Sequence, residues 1–304
     1  MHGRVESGAG QASHTRLLQV GAPPLFILLW SSGFIFVKIA LAYTNPLTLL
    51  AVRYALVVAL LLPAVLLLRL PWPRGIAWLH LIAVGLLVQA GHFASVNLAL
   101  SHGFSPGAAS LITSLQPILV GLLAPWLAGE RVSARRWLGL ALGLAGAAVV
   151  ILARSALGAM PLLGLFFSVL GLATITGGTL YERRFGTRTH PITASLIQCG
   201  VALAAMLPLA AVLEPMRFVL APGLVVAMTY LVLANSILAL SLLFTMVRLG
   251  EASRVSSLFF LVPPTTALLA WAALGERVQP LAWVGLAISA AGVAIVTLER
   301  RPRA

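Results

Sequence analysis

The side chains that could do chemistry in this chain are few, and they interrupt long apolar stretches. Gln89, His92, Gln116 and Asn235 each lie well inside such a stretch, where an amide or imidazole needs a partner that apolar surroundings cannot supply. Polar groups in that situation commonly mark a binding site. We therefore expect these four residues to line a substrate-binding cavity.

Three aromatic residues join this candidate site. Trp30 and Phe34 are four residues apart, which places them on one face of a helix. Phe260 is included because Pro264 has no N–H group and leaves the carbonyl of Phe260 without its helical donor. We interpret Trp30, Phe34 and Phe260 as substrate-contacting residues.

Lys38 and Arg53 are the two basic residues that fall inside apolar stretches, and Gln198 occupies the position in the second half that corresponds to Arg53. We interpret all three as gate or helix-packing residues. For Lys38 the alternative is an ammonium group that reaches out to the membrane surface. For Arg53 the alternative is direct contact with the substrate.

Pro117 and Pro263 complete the gate or packing group. Pro117 leaves the carbonyl of Thr113 free, and Pro263 does the same for Phe259. Such breaks are tolerated within a membrane where protein or a water-filled cavity covers them. A packing kink without a site is the alternative interpretation.

Composition shows which elements must position these residues. The chain is 60% hydrophobic and 9% charged, with a mean hydropathy of +1.03, whereas soluble domains carry about 25% charged residues. About 20 apolar residues cross a bilayer as a helix. We predict an all-α integral membrane protein whose ten transmembrane helices are 23–42, 46–68, 76–101, 106–128, 133–153, 159–181, 191–213, 219–247, 254–274 and 280–298.

The net charge of +13 reflects arginines in short clusters between these helices, which favours membrane topology over nucleic-acid binding. Arg154, Arg217 and Arg277 lie on one predicted side. The opposite side carries Arg4, Arg16, Arg69, Arg74, Arg131, Arg135, Arg136, Arg183, Arg184, Arg188, Arg248, Arg254, Arg300, Arg301 and Arg303. The bias predicts a multi-pass protein of the inner (cell) membrane with both termini in the cytoplasm.

Several kinds of site are excluded by residues that the sequence lacks. It has no Asp, its one Lys is not in a phosphate-binding loop, and no His-Glu pair begins a zinc motif. Cys199 is the single cysteine. We expect no cofactor, no metal and no catalytic residues. An intramembrane enzyme would need a carboxylate pair or a nucleophile at membrane depth, so we expect no enzyme.

The two halves of the chain match each other. Residues 129–132 and 275–278 both read GERV, and Trp137, Gly139 and Gly146 recur as Trp283, Gly285 and Gly292. We predict a cytoplasmic tail at 1–22, a first five-helix repeat at 23–154 and a second at 158–299. Because five is odd, the second copy must be inverted, which is typical of secondary transporters with a site between the halves.

Small residues at Gly139, Gly143 and Gly146, mirrored by Gly285, Ser289 and Gly292, indicate close helix packing. They could join the fifth and tenth helices to each other. A homodimer interface is the second interpretation of the same residues.

An ordered set of motifs resembles the EamA-domain transporters of the drug/metabolite transporter superfamily. It comprises residues 30–34 (WSSGF), 97–100 (NLAL), Pro117 and the Gly-Glu pairs at 129–130 and 275–276. The resemblance covers residues 23–300. It implies ten helices, cytoplasmic termini, alternating access and a central cavity for amino acids or other small metabolites. The second copy departs from it, with LFTM at 243–246 in place of NLAL.

We therefore expect a secondary transporter of a small-molecule substrate in the lipid bilayer, with amino-acid or related metabolite export as the leading hypothesis. Two cations and no carboxylate deep in the predicted spans favour a cargo that bears a carboxylate. Efflux of drugs or toxic compounds and a scaffold that transports nothing are the alternatives. The coupling ion is open, since His92 could titrate.

Overall fold

A computed structural model describes residues 6–128, 134–155, 161–186, 189–239, 242, 261–276 and 279–297. The elements in these ranges are helices, with one isolated bridge between Thr44 and Phe218. In chain order they are α1 (Glu6–Ala40), α2 (Pro46–Leu67), α3 (Ala77–Ser101), α4 (Pro106–Thr113), α5 (Gln116–Ala128), α6 (Ala134–Ser155), α7 (Leu162–Phe185), α8 (Pro191–Leu213), α9 (Pro222–Ala239), α10 (Val262–Leu274) and α11 (Pro280–Thr297).

Six of these helices are long and apolar enough to cross a bilayer: α1 over Gly21–Ala40, α2, α3, α7, α8 and α9. The remaining described helices have shorter apolar segments. The all-helical class is confirmed for the described residues, while the count of ten spans stays a prediction. One boundary differs, because α1 begins at Glu6 and part of the predicted polar tail is helical.

Proline determines where several helices begin. Pro46, Pro106, Pro191, Pro222 and Pro280 each occupy the first position of a described helix. The missing N–H of proline costs nothing there, since the first turn has no intrahelical acceptor for it. The predicted spans 46–68, 106–128, 191–213 and 280–298 begin at four of these prolines, and the predicted span 219–247 begins three residues before Pro222.

The predicted fourth span is divided into α4 and α5. The Leu115 N–H bonds the carbonyl of Ile112 at 3.1 Å, and a new helix starts at Gln116. Pro117 is the second residue of α5. Because proline has no N–H, it cannot donate to the carbonyl of Thr113. Pro263 is likewise the second residue of α10. Both prolines therefore start a helix, whereas the sequence analysis predicted kinks within one.

Two helices widen into π-helical segments at corresponding places. One runs over Gly85–His92 in α3 and the other over Tyr230–Ala239 in α9. The Tyr54 hydroxyl donates to the Gln89 carbonyl at 2.5 Å, and the Ser236 hydroxyl donates to the Leu231 carbonyl at 2.9 Å. Wide turns of this kind commonly occur at functional sites.

The α1–α2 and α8–α9 connections are bonded to each other. Both carboxylate oxygens of Glu214, which follows α8, accept backbone N–H groups of Leu47 and Thr48 at 2.9 Å. A carboxylate at this point satisfies first-turn donors and opposes the positive end of the α2 dipole. The Arg217 N–H adds a bond to the Asn45 side chain at 2.9 Å.

Small residues bring α6 and α11 into close contact. A Cβ atom added at Gly285 would lie 2.7 Å from the Gly146 carbonyl, and one at Gly292 would lie 2.7 Å from the Gly139 carbonyl. Ser289 packs in the same seam. The predicted packing of these two helices within one chain is confirmed.

Candidate functional site

A small cleft lies among α1, α2, α3 and α9. Four of the residues predicted for substrate binding reach it, together with Arg53, which was predicted as a gate. Its lining residues are Trp30, Gly33, Phe34, Val37, Arg53, His92, Phe93, Val96, Asn97 and Asn235. The cleft therefore has polar groups on an otherwise apolar wall.

Burying Arg53 costs more free energy than burying any other residue of this wall, because a buried charge needs hydrogen-bonding or charged partners in place of water. Its side chain is 3% exposed. The Nε group donates to the Ser236 hydroxyl at 3.0 Å, and Nη2 donates to Asn235 Oδ1 at 2.9 Å. The guanidinium carbon lies 5.1 Å from the centre of the Phe93 ring, within the range of a cation–π contact.

Asn235 connects Arg53 to α1. Its oxygen accepts from the guanidinium, and its Nδ2 donates to the Leu29 carbonyl at 3.2 Å. Gly33 makes this possible, since a Cβ there would lie 2.6 Å from Asn235 Nδ2. The WSSGF segment thus contributes a glycine that allows a side chain of α9 to reach the backbone of α1.

His92 and Asn97 belong to the α3 side of the cleft. His92 Nδ1 lies 3.0 Å from the Gly171 carbonyl of α7. A carbonyl can only accept, so Nδ1 carries the proton and Nε2 of the neutral ring is an acceptor. Asn97 donates to the Pro46 carbonyl at 3.2 Å, while its buried Oδ1 has no hydrogen-bond partner among the described residues.

Two predicted substrate residues lie outside the cleft. Gln89 is buried in the π-helical segment of α3 and is not among the lining residues. Gln116 Nε2 donates to the Thr179 hydroxyl at 2.9 Å, which joins α5 to α7. Phe260 lies outside the described residues.

The remaining residues predicted as gate or helix-packing residues lie outside the cleft. Lys38 Nζ donates to the Leu100 carbonyl near the end of α3 at 2.9 Å, so its ammonium is held by protein. The Gln198 backbone lies against Gly85, where an added Cβ would be 3.0 Å from Gln198 Cα. Pro117 and Pro263 begin α5 and α10, as described above.

Sequence reasoning missed five lining residues: Gly33, Val37, Phe93, Val96 and Asn97. Helical spacing could have found two of them: Phe93 and Asn97 are four apart on α3, as are Trp30 and Phe34 on α1. In the described ranges no group of three His, Cys, Asp or Glu residues could hold a metal ion.

The sequence and the fold of this chain are similar to those of known proteins. The sequence model of the EamA-like transporter family matches residues 25–152 and again residues 162–298. A solved crystal structure aligns with a TM-score of 0.64 over 91% of this chain and 95% of its own, at 23% identity. At that identity the match shows a shared fold.

Three curated relatives are similar along much of the chain. One is the "Uncharacterized inner membrane transporter YedA" of Escherichia coli K12, 26% identical over 92% of this chain and 90% of that protein. The "Probable amino-acid metabolite efflux pump" of Salmonella typhimurium is 25% identical over 92% and 94%. The "Probable terminal-alkyne amino-acid exporter" of Streptantibioticus cattleyicolor is 34% identical over 65% and 67%.

Proposed function

Because the chain belongs to the EamA-like transporter family, we propose that it exports an amino acid or a related small metabolite. Membrane transport is the activity of the family, and its long apolar helices fit a multi-pass membrane protein. The names of two relatives, an amino-acid metabolite efflux pump and an alkyne amino-acid exporter, support the cargo class and the outward direction.

The cleft around Arg53 is the observation that carries this proposal. Its polar side chains come from α2, α3 and α9, and its aromatic ones from α1 and α3. A mixed wall of this kind fits a small molecule that has both polar and apolar parts. Trp30, Phe34, His92 and Asn235 are the proposed substrate contacts, and Arg53 is added to them.

We further propose ten membrane spans in two inverted five-helix repeats, 23–154 and 158–299, with alternating access between them. The double match of the family model supports the repeat. So do the two π-helical segments, which lie at corresponding positions of α3 and α9. The arginine bias supports cytoplasmic termini in the inner membrane.

Flux measured with purified protein in liposomes tests the proposal. Liposomes loaded with an unlabelled amino acid should accumulate the same labelled amino acid by exchange, and the uptake should saturate. A panel of apolar, polar and charged amino acids, with cationic dyes as the drug-like arm, identifies the cargo. Exchange of dyes alone would contradict amino-acid export, and protein that stays folded without any flux would support a scaffold.

A further inference from the structure

The positive charge of Arg53 has no counter-charge among the described residues. The chain has no Asp and no Glu between residues 7 and 129, and no described carboxylate pairs with this guanidinium. Its described partners, the Ser236 hydroxyl, the Asn235 carbonyl oxygen and the Phe93 ring, are all neutral. A charge that is 3% exposed keeps a large part of its desolvation cost under these conditions.

The same guanidinium has hydrogen-bonding capacity left. It offers five N–H donors in a planar fork, and Nε and Nη2 use one each for Ser236 and Asn235. The Nη1 group has no hydrogen bond to any described residue. The fork geometry of arginine matches a carboxylate closely.

Hydrogen-bond acceptors line the α3 side of the same cleft. Asn97 is 1% exposed, and its Oδ1 atom has no hydrogen-bond partner in the part of the chain that the structure describes. His92 Nε2 is an acceptor because Nδ1 donates to the Gly171 carbonyl. Two such acceptors suit an ammonium group, which has three donors.

The rest of the wall is apolar and narrow. Trp30, Phe34, Val37 and Val96 come from α1 and α3. An apolar side chain suits the chemistry of this surface, whereas a charged one would find no counter-charge there among the described residues.

We propose that Arg53 binds the carboxylate of a small apolar α-amino acid, and that Asn97 and His92 accept hydrogen bonds from its ammonium group. This inference rests on the proposed transport function and names the chemical class that the cleft recognises. Ser236 is a positioning residue, and Asn235, besides its proposed contact with the substrate, also positions the guanidinium, since both side chains accept its hydrogen bonds. The bound carboxylate supplies the negative charge that no described residue provides beside Arg53.

Competition by leucine analogues on the unaltered, full-length protein tests the carboxylate. In liposome exchange of labelled leucine, isocaproate keeps the carboxylate, while isoamylamine and leucine methyl ester lack it. We expect leucine and, more weakly, isocaproate to compete. The amine and the ester should compete at least about tenfold less well than leucine, which corresponds to the loss of one charge-assisted hydrogen bond. Equal competition by isoamylamine and leucine would overturn the proposal.

Substitutions assign the roles to residues. Arg53→Gln should weaken leucine competition by roughly 10- to 100-fold and remove the preference for leucine over isoamylamine. Asn97→Leu should weaken competition by leucine but leave competition by isocaproate unchanged. Arg74→Gln, which removes an exposed arginine between α2 and α3, is the matched control and should behave as the unaltered protein. An Arg53→Gln protein with unchanged preference would contradict the assignment.

Thermal stabilisation of the detergent-purified protein separates this inference from the transport proposal. Stabilisation by leucine and isocaproate but not isoamylamine, without flux, would support carboxylate binding and contradict transport. Flux of leucine with no carboxylate preference would support transport and overturn the inference. Neither flux nor stabilisation with any amino acid of the panel would overturn both.

Discussion

At the scale of single residues, the cleft depends on a chain of contacts that begins at a glycine. Gly33 allows Asn235 to reach α1, Asn235 holds Arg53, and Arg53 lies on the Phe93 ring. Because each contact positions the next residue, a carbon atom added at Gly33 should displace Asn235 and, through it, Arg53.

Gly33→Ala should lower transport without unfolding the protein. The added Cβ would lie 2.6 Å from Asn235 Nδ2, so Asn235 must move and its bond to Arg53 is lost. We expect transport to fall about tenfold, as the loss of one charge-assisted hydrogen bond implies. Gly177→Ala is the control, since a Cβ there meets no atom within 4 Å. Equal rates for both variants would contradict the contact chain.

Tyr54→Phe should destabilise the protein through the π-helical segment of α3. The buried hydroxyl is the donor for the Gln89 carbonyl at 2.5 Å, and its loss leaves that carbonyl without this partner. We expect a cost of about 1–3 kcal/mol, measured as a lower melting temperature in detergent. Tyr43→Phe is the matched control, because no hydrogen bond from the Tyr43 hydroxyl to a described residue exists. A similar drop for both variants would argue against the assigned role.

At the scale of elements, the end of α8 stabilises the start of α2. Glu214 accepts the Leu47 and Thr48 N–H groups and the Thr48 hydroxyl. This carboxylate lies far from α2 in sequence, so it couples the first half of the chain to the second.

Glu214→Ala should therefore destabilise the protein by about 1–2 kcal/mol, because several first-turn donors lose their acceptor. Glu214→Gln keeps an acceptor oxygen and removes the charge, so its cost should be smaller, about 0.3–1 kcal/mol. Thermal unfolding in detergent measures both. A Gln variant as unstable as the Ala variant would show that charge, and not hydrogen bonding, holds the connection.

The seam between α6 and α11 is sensitive to volume. Gly146→Ala would place a Cβ 2.5 Å from the Gly285 carbonyl, so the two backbones must separate. We expect a loss of about 1–3 kcal/mol, again measured by thermal unfolding. Gly200→Ala in α8 meets no atom within 4 Å and should be neutral or slightly stabilising. A neutral Gly146→Ala would contradict the close packing.

At the scale of the whole molecule, the proposed orientation can be tested through two exposed loop arginines. Arg217 lies in the α8–α9 connection, which is bonded to Asn45 just before α2, and Arg74 follows the other end of α2. The two positions should therefore face opposite sides of the membrane.

In a Cys199→Ala background, Arg217→Cys should react with an impermeant thiol reagent in intact cells. Arg74→Cys should react only after the cells are opened, because the arginine bias places it in the cytoplasm. Cys199 is a free cysteine that is buried. Its replacement removes any background reaction with the thiol reagent. Labelling with the opposite pattern would reverse the proposed topology.

Much of the architecture can be predicted from short stretches of the sequence. Apolar stretches of about 20 residues and the prolines at Pro46, Pro106 and Pro191 predict where helices lie and begin, because span length and the missing proline N–H act within a few residues. The small residues of α6 and α11 likewise predict their contact. The EamA family was identified from ordered motifs, and the family match confirms it.

The composition of the cleft was decided by tertiary structure. Gln89, Gln116 and His92 look alike in sequence, as polar residues in apolar stretches, yet only His92 reaches the cleft. Gln116 bonds Thr179, and Gln89 is buried between helices. Which side chains face the cleft depends on how each helix is rotated about its axis relative to its neighbours. Arg53 was predicted as a gate or helix-packing residue. It lies in the wall of the cleft, where it bonds Asn235 from the other half of the chain. Long-range packing sets such pairings, and no local pattern encodes them.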